Sequence, residues 1–277
     1  MRRRGRYTFW DFLVISLLVL GGLTMLVPFL WMISTSFKEP GSLFDLPIKL
    51  LPDRLHWENY QQVLTIVPFG RWYLNSLIIA TGLTFLNLTS GAMGGYAFAR
   101  FSWRGRDLMF LLALITLMIP AHVLIIPLFV IMSKIGWIDT YYALILPGLF
   151  DAFAIFLMRQ HFLQVPKELE EAALIDGAGP WQIYWKVALP LAAPALATLG
   201  TFTFLAGWNS FLWPLVATNS IEMRPLTVGL AVFNTDFSTE WTLLMAGLSL
   251  ATIPPIVVFL AAQRWFIRGL TLGSLKG

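Results

Sequence analysis

The chain has 277 residues, of which 57% are hydrophobic and only 12% are charged, and its mean hydropathy is +0.72. This composition is too apolar for an ordinary soluble domain and places the chain in a lipid bilayer. The net charge of +4 does not require a nucleic-acid partner, because the basic residues form short clusters beside apolar runs, and the lack of cysteine excludes disulfides, thiolate metal sites and cysteine nucleophiles.

The first two apolar runs predict membrane-spanning helices. Four arginines within residues 1–11, a predicted cytoplasmic N-terminus, precede an apolar run at 12–33 that is long enough to cross a hydrocarbon core of about 30 Å. The run lacks a small-residue cleavage site, so we interpret it as a retained span and not as a signal peptide. A second span, at 72–98, contains Gly91 and Gly95 at GxxxG spacing, and small residues of this kind favour helix contact over exposure to lipid.

Prolines and a carboxylate mark the next two spans. The third, at 108–132, is interrupted by Pro120 and Pro127, which predicts a kinked helix that lines a cavity. The fourth, at 141–158, contains Asp151, and a charged group at mid-span costs about 2.5 to 3.5 kcal/mol on insertion scales. Asp151 is therefore expected to face the bundle interior or a wet cavity. A role in a solute path or between subunits is open, and so is simple snorkelling or a hydrogen bond to a neighbouring helix.

The last two spans are predicted at 191–216 and 242–267, the latter with a Pro-Pro pair in its middle, before a tail at 268–277. Six spans place both termini and the connections at 100–107 and 159–190 on one side of the membrane. Counted with Arg264 at the end of the last span, that side holds 13 of the 19 Lys and Arg residues, so the positive-inside rule makes it cytoplasmic. The sequence predicts an all-α integral membrane protein with six transmembrane helices and both termini cytoplasmic.

The cytoplasmic loop at 159–190 contains a long polar segment with internal order. Pro166 and the glutamates at 168, 170 and 171 suit the first turn of a helix, where the helix dipole favours negative charge. Gly177 and Gly179 offer left-handed positions that end this helix, and Pro180 opens a second one through Trp181. The segment therefore predicts a helix, a tight turn and another helix.

Small residues in the middle of an apolar stripe suit the first of these helices to close contact with another protein. The stripe consists of Val165, Leu169, Ala172 and Ala173, and alanine permits close backbone approach. The alternative is an amphipathic helix that rests on the bilayer, but a Glu-rich and Lys-poor polar face is unfavourable beside anionic lipid.

Motifs for energy-yielding chemistry are absent from the sequence. It has no GxxxxGK[ST] phosphate loop, no HExxH and no clustered cysteines or histidines, so the chain has no visible means of hydrolysing ATP or holding a catalytic metal. Two classes of function are consistent with this: a permease subunit driven by a separate ATPase, and an ion-coupled secondary transporter of a small polar solute that works alone. A carrier of that kind needs several ionisable groups in its spans, and the sequence offers Asp151 and His122.

The ordered loop resembles a known family motif. Glu171-Ala172-Ala173, followed by Gly177 and then by Leu189-Pro190, resembles the EAA loop of permease subunits in binding-protein-dependent ABC importers. Val187 stands where that pattern has isoleucine. The stretches GYAFAR, MIPAHVLIIPLF, ALILP and WNSFLWPL are similar to the carbohydrate branch of these permeases. The resemblance implies a type I ABC importer permease fold in the cell (inner/plasma) membrane, with no enzymatic activity of its own.

The resemblance also implies partners and contacts. In the family, the EAA loop forms a coupling helix that docks into a cleft on a cytoplasmic ATPase subunit, and the carboxyl tail of the maltose-type subunit enters between two ATPase subunits. The implied partners are a second, different permease subunit, an ATPase dimer and an extracytoplasmic solute-binding protein, with membrane lipid around the bundle and no nucleic acid. ATP and Mg²⁺ belong to the ATPase, and no cofactor or metal is implied on this chain. The coupling contacts map to Glu170, Glu171, Ala172, Ala173, Asp176, Gly177, Leu189 and Pro190, and the tail contacts to Thr271, Gly273, Lys276 and Gly277.

Candidate solute contacts follow from sugar chemistry. Sugars are bound by aromatic faces and by amide or carboxylate hydrogen bonds, so Asp151, Trp208, Asn209 and Ser210 are candidates for a solute path. Alternatively, a tryptophan near a helix end anchors it at the membrane interface, and the partner subunit holds the solute. A malto-oligosaccharide, another disaccharide, a glycerol phosphate and a glycosyl osmolyte all suit the pattern.

Overall fold

The structure, a computed structural model, describes residues 8–44, 46–47, 49–234 and 239–273. Within these ranges the chain is helical and contains no β-strand, only an isolated bridge between Asn234 and Thr239. The α-helices are α1 (Phe9–Ser36), α2 (Glu58–Ile66), α3 (Phe69–Arg100), α4 (Arg106–Thr116), α5 (Ile125–Lys134), α6 (Tyr141–Ile145), α7 (Ala152–Gln164), α8 (Glu168–Ile175), α9 (Pro180–Ile183), α10 (Leu189–Leu191), α11 (Ala193–Trp208), α12 (Leu212–Ala217), α13 (Leu226–Leu230), α14 (Trp241–Ala251) and α15 (Ile253–Gly273).

Among the residues that the structure describes, four helical stretches are long and apolar enough to cross a membrane. They are Phe9–Ser36, Phe69–Arg100, Tyr141–Gln164 and Trp241–Trp265, and they overlap predicted spans one, two, four and six. Two further candidates are bent helix pairs, α4 with Ala121–Lys134 at 90° and Pro180–Leu191 with α11 at 74°. The predicted all-α class is confirmed, and the described helices provide four spans, or six if each bent pair crosses the membrane once.

Prolines break the helices at fewer points than the sequence predicts. The third span breaks at Pro120, where a short 3₁₀ helix at Ala121–Leu124 separates α4 from α5. The predicted break at Pro127 is wrong, because Pro127 is the third residue of α5. At that position the N–H group has no partner within the helix, so proline removes no hydrogen bond. Pro254 and Pro255 likewise occupy the first turn of α15.

The fourth span is broken in its middle and continues to Gln164, six residues beyond the predicted end. A 3₁₀ turn, Leu146–Gly148, separates α6 from α7. Asn87 of α3 donates through Nδ2 to the Gly148 carbonyl at 3.1 Å, and Ser90 donates to the Leu149 carbonyl at 2.5 Å. A free carbonyl in hydrocarbon costs several kcal/mol, so these side chains of α3 allow the break.

The chain divides into two compact units, 1–67 with 230–251 and 68–229 with 252–277. In the first unit, α1 and α2 both pack on α14. Buried Asn59 of α2 donates to the carbonyls of Ser36 and Lys38 at 2.9 and 2.8 Å and so fixes the chain where α1 ends. The Lys38 ammonium donates to the Lys49 carbonyl at 2.7 Å, and burial lowers the pKa of Lys38. The predicted short helix near Trp57 is present as α2.

The second unit is built around α3, which packs against α7 and α11, while α11 packs against α15. Glycines let α3 and α7 approach closely. A Cβ placed on Gly91 would lie 2.7 Å from the Cβ of Ala154, and one on Gly95 would lie 2.5 Å from the Cβ of Met158. The prediction that these glycines serve helix contact is confirmed.

Replacing Gly95 with alanine is expected to destabilise the protein by about 1–3 kcal/mol, because the added methyl group overpacks the contact with α7. Gly22 in α1 is the matched control, since a Cβ there meets nothing within 4 Å. Gly22→Ala should leave the chain as stable as before or slightly more stable. Thermal unfolding of the purified protein in detergent measures both, and equal midpoints for the two variants would contradict the packing interpretation.

Asp139 ties two connections of the second unit together. It has a left-handed backbone (φ 64°), its N–H donates to the Ala217 carbonyl at 2.9 Å, and its Oδ1 accepts the N–H groups of Asn219 and Ser220 at 2.9 and 3.1 Å. Partial burial raises the pKa of Asp139, but the hydrogen bonds from Ser220 and Asn219 outweigh this effect, and the net pKa lies below its ordinary value. The ionised carboxylate therefore stabilises the fold above the unfolded-state pKa, and this contribution is lost as the pH falls through the lowered folded-state pKa.

We expect Asp139→Ala to lower the free energy of unfolding by about 1–3 kcal/mol, because two backbone donors lose their acceptor. Asp139→Asn keeps an acceptor and tolerates the left-handed backbone, so it should retain most of the stability. Melting curves between neutral and acidic pH measure the contribution of residue 139 to the free energy of unfolding. In the wild type this contribution should disappear on acidification, whereas in the Asn variant it should not depend on pH. A pH-dependent difference of the opposite sign would refute this account.

Candidate functional site

The polar loop folds into a helix that ends where the sequence predicts. Helix α8 begins at Glu168, two residues after Pro166, with Glu168, Glu170 and Glu171 in its first turn. At its end the N–H of Gly177 donates to the Leu174 carbonyl at 3.0 Å, and the N–H of Ala178 donates to the Ala173 carbonyl at 2.9 Å. These bonds form a Schellman cap, which requires the left-handed backbone found at Gly177 (φ 82°).

The second helix of the segment is present but irregular. Gly179 is extended (φ −73°, ψ 165°), so the predicted left-handed conformation there is wrong, and its N–H donates to Gln182 Oε1 at 3.1 Å. Pro180 opens α9 as predicted, a π-helical turn at Tyr184–Ala188 follows, and α10 carries Leu189 and Pro190. Leu189 packs against the core of the second unit, whereas Pro190 is exposed.

Glu170 faces the interior of the chain. Arg100, the last residue of α3, donates through Nε to Glu170 Oε1 at 2.7 Å and through Nη2 to the Val165 carbonyl at 2.8 Å. Tyr96 donates through its hydroxyl to Glu170 Oε2 at 3.3 Å. The Arg100 and Glu170 side chains are only 6% and 13% exposed, so this pair is shielded from water. Of the two glutamates predicted as ATPase contacts, the structure therefore directs Glu170 towards α3.

No local pattern in the sequence indicates Arg100 and Tyr96 as partners of this loop, because they lie 70 and 74 positions before Glu170. The available signal was an arginine directly at the end of an apolar run, where a cation also favours the helix C-terminus. Tyr96 belongs to the same cluster, and its ring lies 5.3 Å from that of Phe162 and 5.2 Å from that of Tyr184. The end of α3 thus joins α7, α8 and the π-helical turn.

Most of the remaining surface of α8 is open. Glu171, Ala172 and Asp176 are exposed and Ala173 is half-buried. Apolar side chains accompany them: Leu174 is 56% exposed and Ile175 is 88% exposed, and Leu169, Trp181 and Trp185 are also exposed. Exposed apolar groups beside carboxylates are typical of a surface that contacts another protein or a membrane.

The structure does not gather the candidate solute residues into one site. Asp151 caps α7, with Oδ1 accepting the N–H groups of Phe153 and Ala154 at 2.6 and 3.4 Å. Trp208 is 3% exposed, with its ring stacked on Phe204 and edge-on to Tyr73, so it offers no free face to a solute in this conformation.

The remaining predicted residues lie near chain or helix ends. Asn209 is exposed, and the Ser210 carbonyl accepts the Thr227 hydroxyl at 2.6 Å. In the predicted tail, the backbone of Thr271 and Gly273 continues α15, whereas Lys276 and Gly277 lie outside the described residues. The solute and tail assignments stay predictions.

Residues 91–272, from the GxxxG region of α3 to the end of α15, match the model of the family described as "Binding-protein-dependent transport system inner membrane component". The chain belongs to this family. This permease is thus a multi-pass membrane component of a transport system, and the family assignment made from the EAA loop is confirmed.

Curated relatives cover nearly the whole permease. It is 39% identical over 253 residues to the arabinooligosaccharides transport system permease protein AraQ of Halalkalibacterium halodurans, covering 90% of this chain and 91% of AraQ. It is 36% identical over 262 residues to the sn-glycerol-3-phosphate transport system permease protein UgpE of Yersinia pestis bv. Antiqua (strain Antiqua), covering 92% and 93% of the two chains.

A solved structure supports the same fold. The permease is similar to a chain in the crystal structure of a bacterial ABC transporter involved in the import of the acidic polysaccharide alginate. The TM-score is 0.83 at 28% sequence identity, and the similarity covers 95% of this chain and 99% of the other.

The inward position of Glu170 and the exposure of Glu171 predict effects of very different size on stability. Glu170→Gln should destabilise the permease by about 3–5 kcal/mol, because the Arg100 charge stays buried without a full partner. Glu171→Gln, the same change on the exposed neighbour, should shift stability by no more than about 0.5 kcal/mol. Thermal unfolding in detergent distinguishes the two, and a larger effect at 171 than at 170 would contradict the structure.

Proposed function

We propose that this permease is the membrane subunit of an ABC importer that moves a sugar or sugar-like solute inward by alternating access. It would span the cell (inner/plasma) membrane six times, with both termini in the cytoplasm. Its partners would be a second, different permease subunit, an extracytoplasmic solute-binding protein and an ATPase dimer, which binds and hydrolyses the ATP. The names of the relatives support the solute class, because arabinooligosaccharides and sn-glycerol-3-phosphate are both polyhydroxylated.

The observation that carries the proposal is the two-sided character of α8. One side is held to α3 through Glu170, and the side that Glu171 and Ile175 share is exposed. A short helix that is fixed on one side and apolar on the other suits a groove in a partner protein. The sequence contains no nucleotide-binding loop, so the partner that drives transport must supply the ATP site.

Individual roles follow from exposure. Glu171 is proposed to make the charged contact with the ATPase cleft, and Ala172 and Ala173 allow the close approach. Gly177 supplies the left-handed cap that fixes the direction of the following segment. Closure of the ATPase dimer would displace α8, and docking of the loaded binding protein on the opposite face would bias the same equilibrium, as linkage requires.

The broken helices support alternating access. Transporter sites commonly lie where spans are interrupted, because backbone and helix ends are free there to meet a solute. In this chain the fourth span is interrupted directly before Asp151, with the carboxylate at the start of α7. Asp151, Asn209 and Ser210 are the proposed solute contacts, and Trp208 would take part only in a conformation that uncovers its ring.

The coupling proposal is tested by two glycines that differ in backbone conformation. A Cβ at either Gly177 or Gly179 meets nothing within 4 Å, but only Gly177 is left-handed. We expect Gly177→Asp to abolish solute-stimulated ATPase activity in the reconstituted complex while the chain still inserts into the membrane. Gly179→Asp adds the same charge at a helix N-cap that accepts aspartate, and it should retain most of the stimulation.

Ala173→Glu should uncouple the complex in the same way, since it places a larger, charged group in the close contact. Full solute-stimulated activity in both Gly177→Asp and Ala173→Glu would remove the proposed docking site. Purification of the chain as a fully active transporter without any ATPase, driven by an ion gradient, would instead establish the ion-coupled alternative.

A further inference from the structure

Two connections link α8, which bears the proposed docking surface, to the membrane-spanning helices. The covalent route leads through Gly177 and Gly179, the π-helical turn at Tyr184–Ala188 and a 74° bend into α11. Beyond the hydrogen-bonded cap at Gly177, Gly179 and two irregular turns make this route more compliant than a continuous helix. The non-covalent route leads directly from Glu170 to Arg100 on α3.

The non-covalent route is the stiffer one. The Arg100 guanidinium binds both α8 and the segment that precedes it. It donates to Glu170 in the helix and to the Val165 carbonyl before the helix begins. Two donors of one planar group fix direction as well as distance. The Tyr96 hydroxyl donates to the second carboxylate oxygen of Glu170. Tyr96 also lines an apolar cavity of about 310 Å³, together with Phe101 and Trp181. Apolar surroundings strengthen an ion pair.

Movement that reaches α3 is passed on, because α3 is packed tightly along its length. A Cβ on Gly95 would lie 2.7 Å from the backbone nitrogen of Arg159 in α7, and Gly207 of α11 approaches the Cα of Ala80 so closely that a Cβ there would lie 3.0 Å away. With 32 residues, α3 is roughly 48 Å long, which exceeds a hydrocarbon core of about 30 Å. Arg100 therefore stands at one membrane surface, while the same helix reaches the other.

From this geometry we propose that Arg100, Glu170 and Tyr96 form a tether that transmits the displacement of α8 into α3, and that Arg100 and Glu170 are positioning residues for energy coupling. The inference rests on the proposed function. It assigns the two neighbouring glutamates different tasks: Glu171 meets the ATPase, and Glu170 carries the resulting movement into the bundle. The covalent connection through Pro190 then follows the movement and does not drive it.

The test uses the complete importer, with its ATPase and binding protein, in proteoliposomes. The readout is the number of solute molecules transported per ATP hydrolysed. In Glu170→Gln the ATPase stays bound and hydrolyses ATP, while transport per ATP falls at least about fivefold. Asp107→Asn is the control for loss of an arginine-bound carboxylate, since Asp107 accepts a 2.8 Å bond from its sequence neighbour Arg106 and not from another helix, and its side chain is 78% exposed. The control should leave transport per ATP unchanged.

A distance measurement separates transmission from simple loss of structure. The chain has no cysteine, so spin labels can be placed on single cysteines introduced at Lys167, which is exposed at the start of α8, and at Phe85, which is 67% exposed on α3. In the otherwise unchanged protein the distance between the labels stays constant between the nucleotide-free and ATP-bound states. In Glu170→Gln it changes when ATP binds, because α8 moves without α3.

Further variants keep the test decisive if Glu170→Gln fails to assemble. Arg100→Lys keeps the charge but loses the planar group that donates to two acceptors. Tyr96→Phe removes a single hydroxyl. The loss of transport per ATP should therefore be larger for Arg100→Lys than for Tyr96→Phe. The charge-exchanged variant with Arg100→Glu and Glu170→Arg should recover part of the coupling. Unchanged transport per ATP and an unchanged label distance in assembled Glu170→Gln and Arg100→Lys complexes would overturn the tether. A wild-type chain that binds no ATPase would instead overturn the proposed function.

Discussion

The close approach of α3 and α7 is the contact on which the second unit depends. It exists because Gly91, Gly94 and Gly95 leave room for the residues of α7 opposite them, which approach with the Cβ atoms of Ala154 and Met158, the Ile155 side chain and the Arg159 backbone nitrogen. Inside a bilayer the lipid tails are as apolar as a leucine side chain, so helices associate through such packing and not through exclusion of water. The same contact decides where α3 ends relative to the loop after α7. It thereby brings Arg100 to Val165 and Glu170, and the buried ion pair is a consequence of the glycine packing.

Polar side chains of α3 serve a second purpose, which is to make irregular backbone tolerable at membrane depth. Asn87 and Ser90 donate to the two carbonyls exposed by the break in the fourth span, and Asp151 accepts the first N–H groups of the helix that follows. Every one of these bonds replaces a water molecule that the hydrocarbon core cannot supply. The carboxylate that the sequence marks as costly therefore has a structural task at the start of α7. The proposed contact of Asp151 with solute would use the hydrogen-bonding capacity of the carboxylate that this cap does not occupy.

The loop between α7 and α11 combines firm attachment with exposure. Its inward side is held by a shielded ion pair and by the ring contacts of Tyr96, whereas its outward side keeps apolar groups in contact with solvent at a cost in free energy. Monomeric surfaces rarely keep such groups exposed without a partner. Adjacent residues of like chemistry, Glu170 and Glu171, thus fall on different sides of one helix, which is a direct result of the 100° turn per residue in an α-helix. The family match and the EAA pattern accord with a partner on the outward side.

The sequence alone determined the membrane class, the positions of most spans, the family, and the helix, glycine cap and second helix of the loop. These features depend on composition, on apolar length and on local backbone preferences, which a linear pattern records directly. Only the tertiary structure decided that Pro127 continues a helix, that Gly179 is extended, that Trp208 is packed in the core and that Glu170 points inward. Some of these features depend on a neighbour that is distant in the chain. The others depend on the position of a residue within a helical turn, where a shift of one residue changes the outcome. A spacing pattern does not contain that information, because the same glutamate faces a partner or an arginine according to how the glycine-lined helix α3 packs on α7.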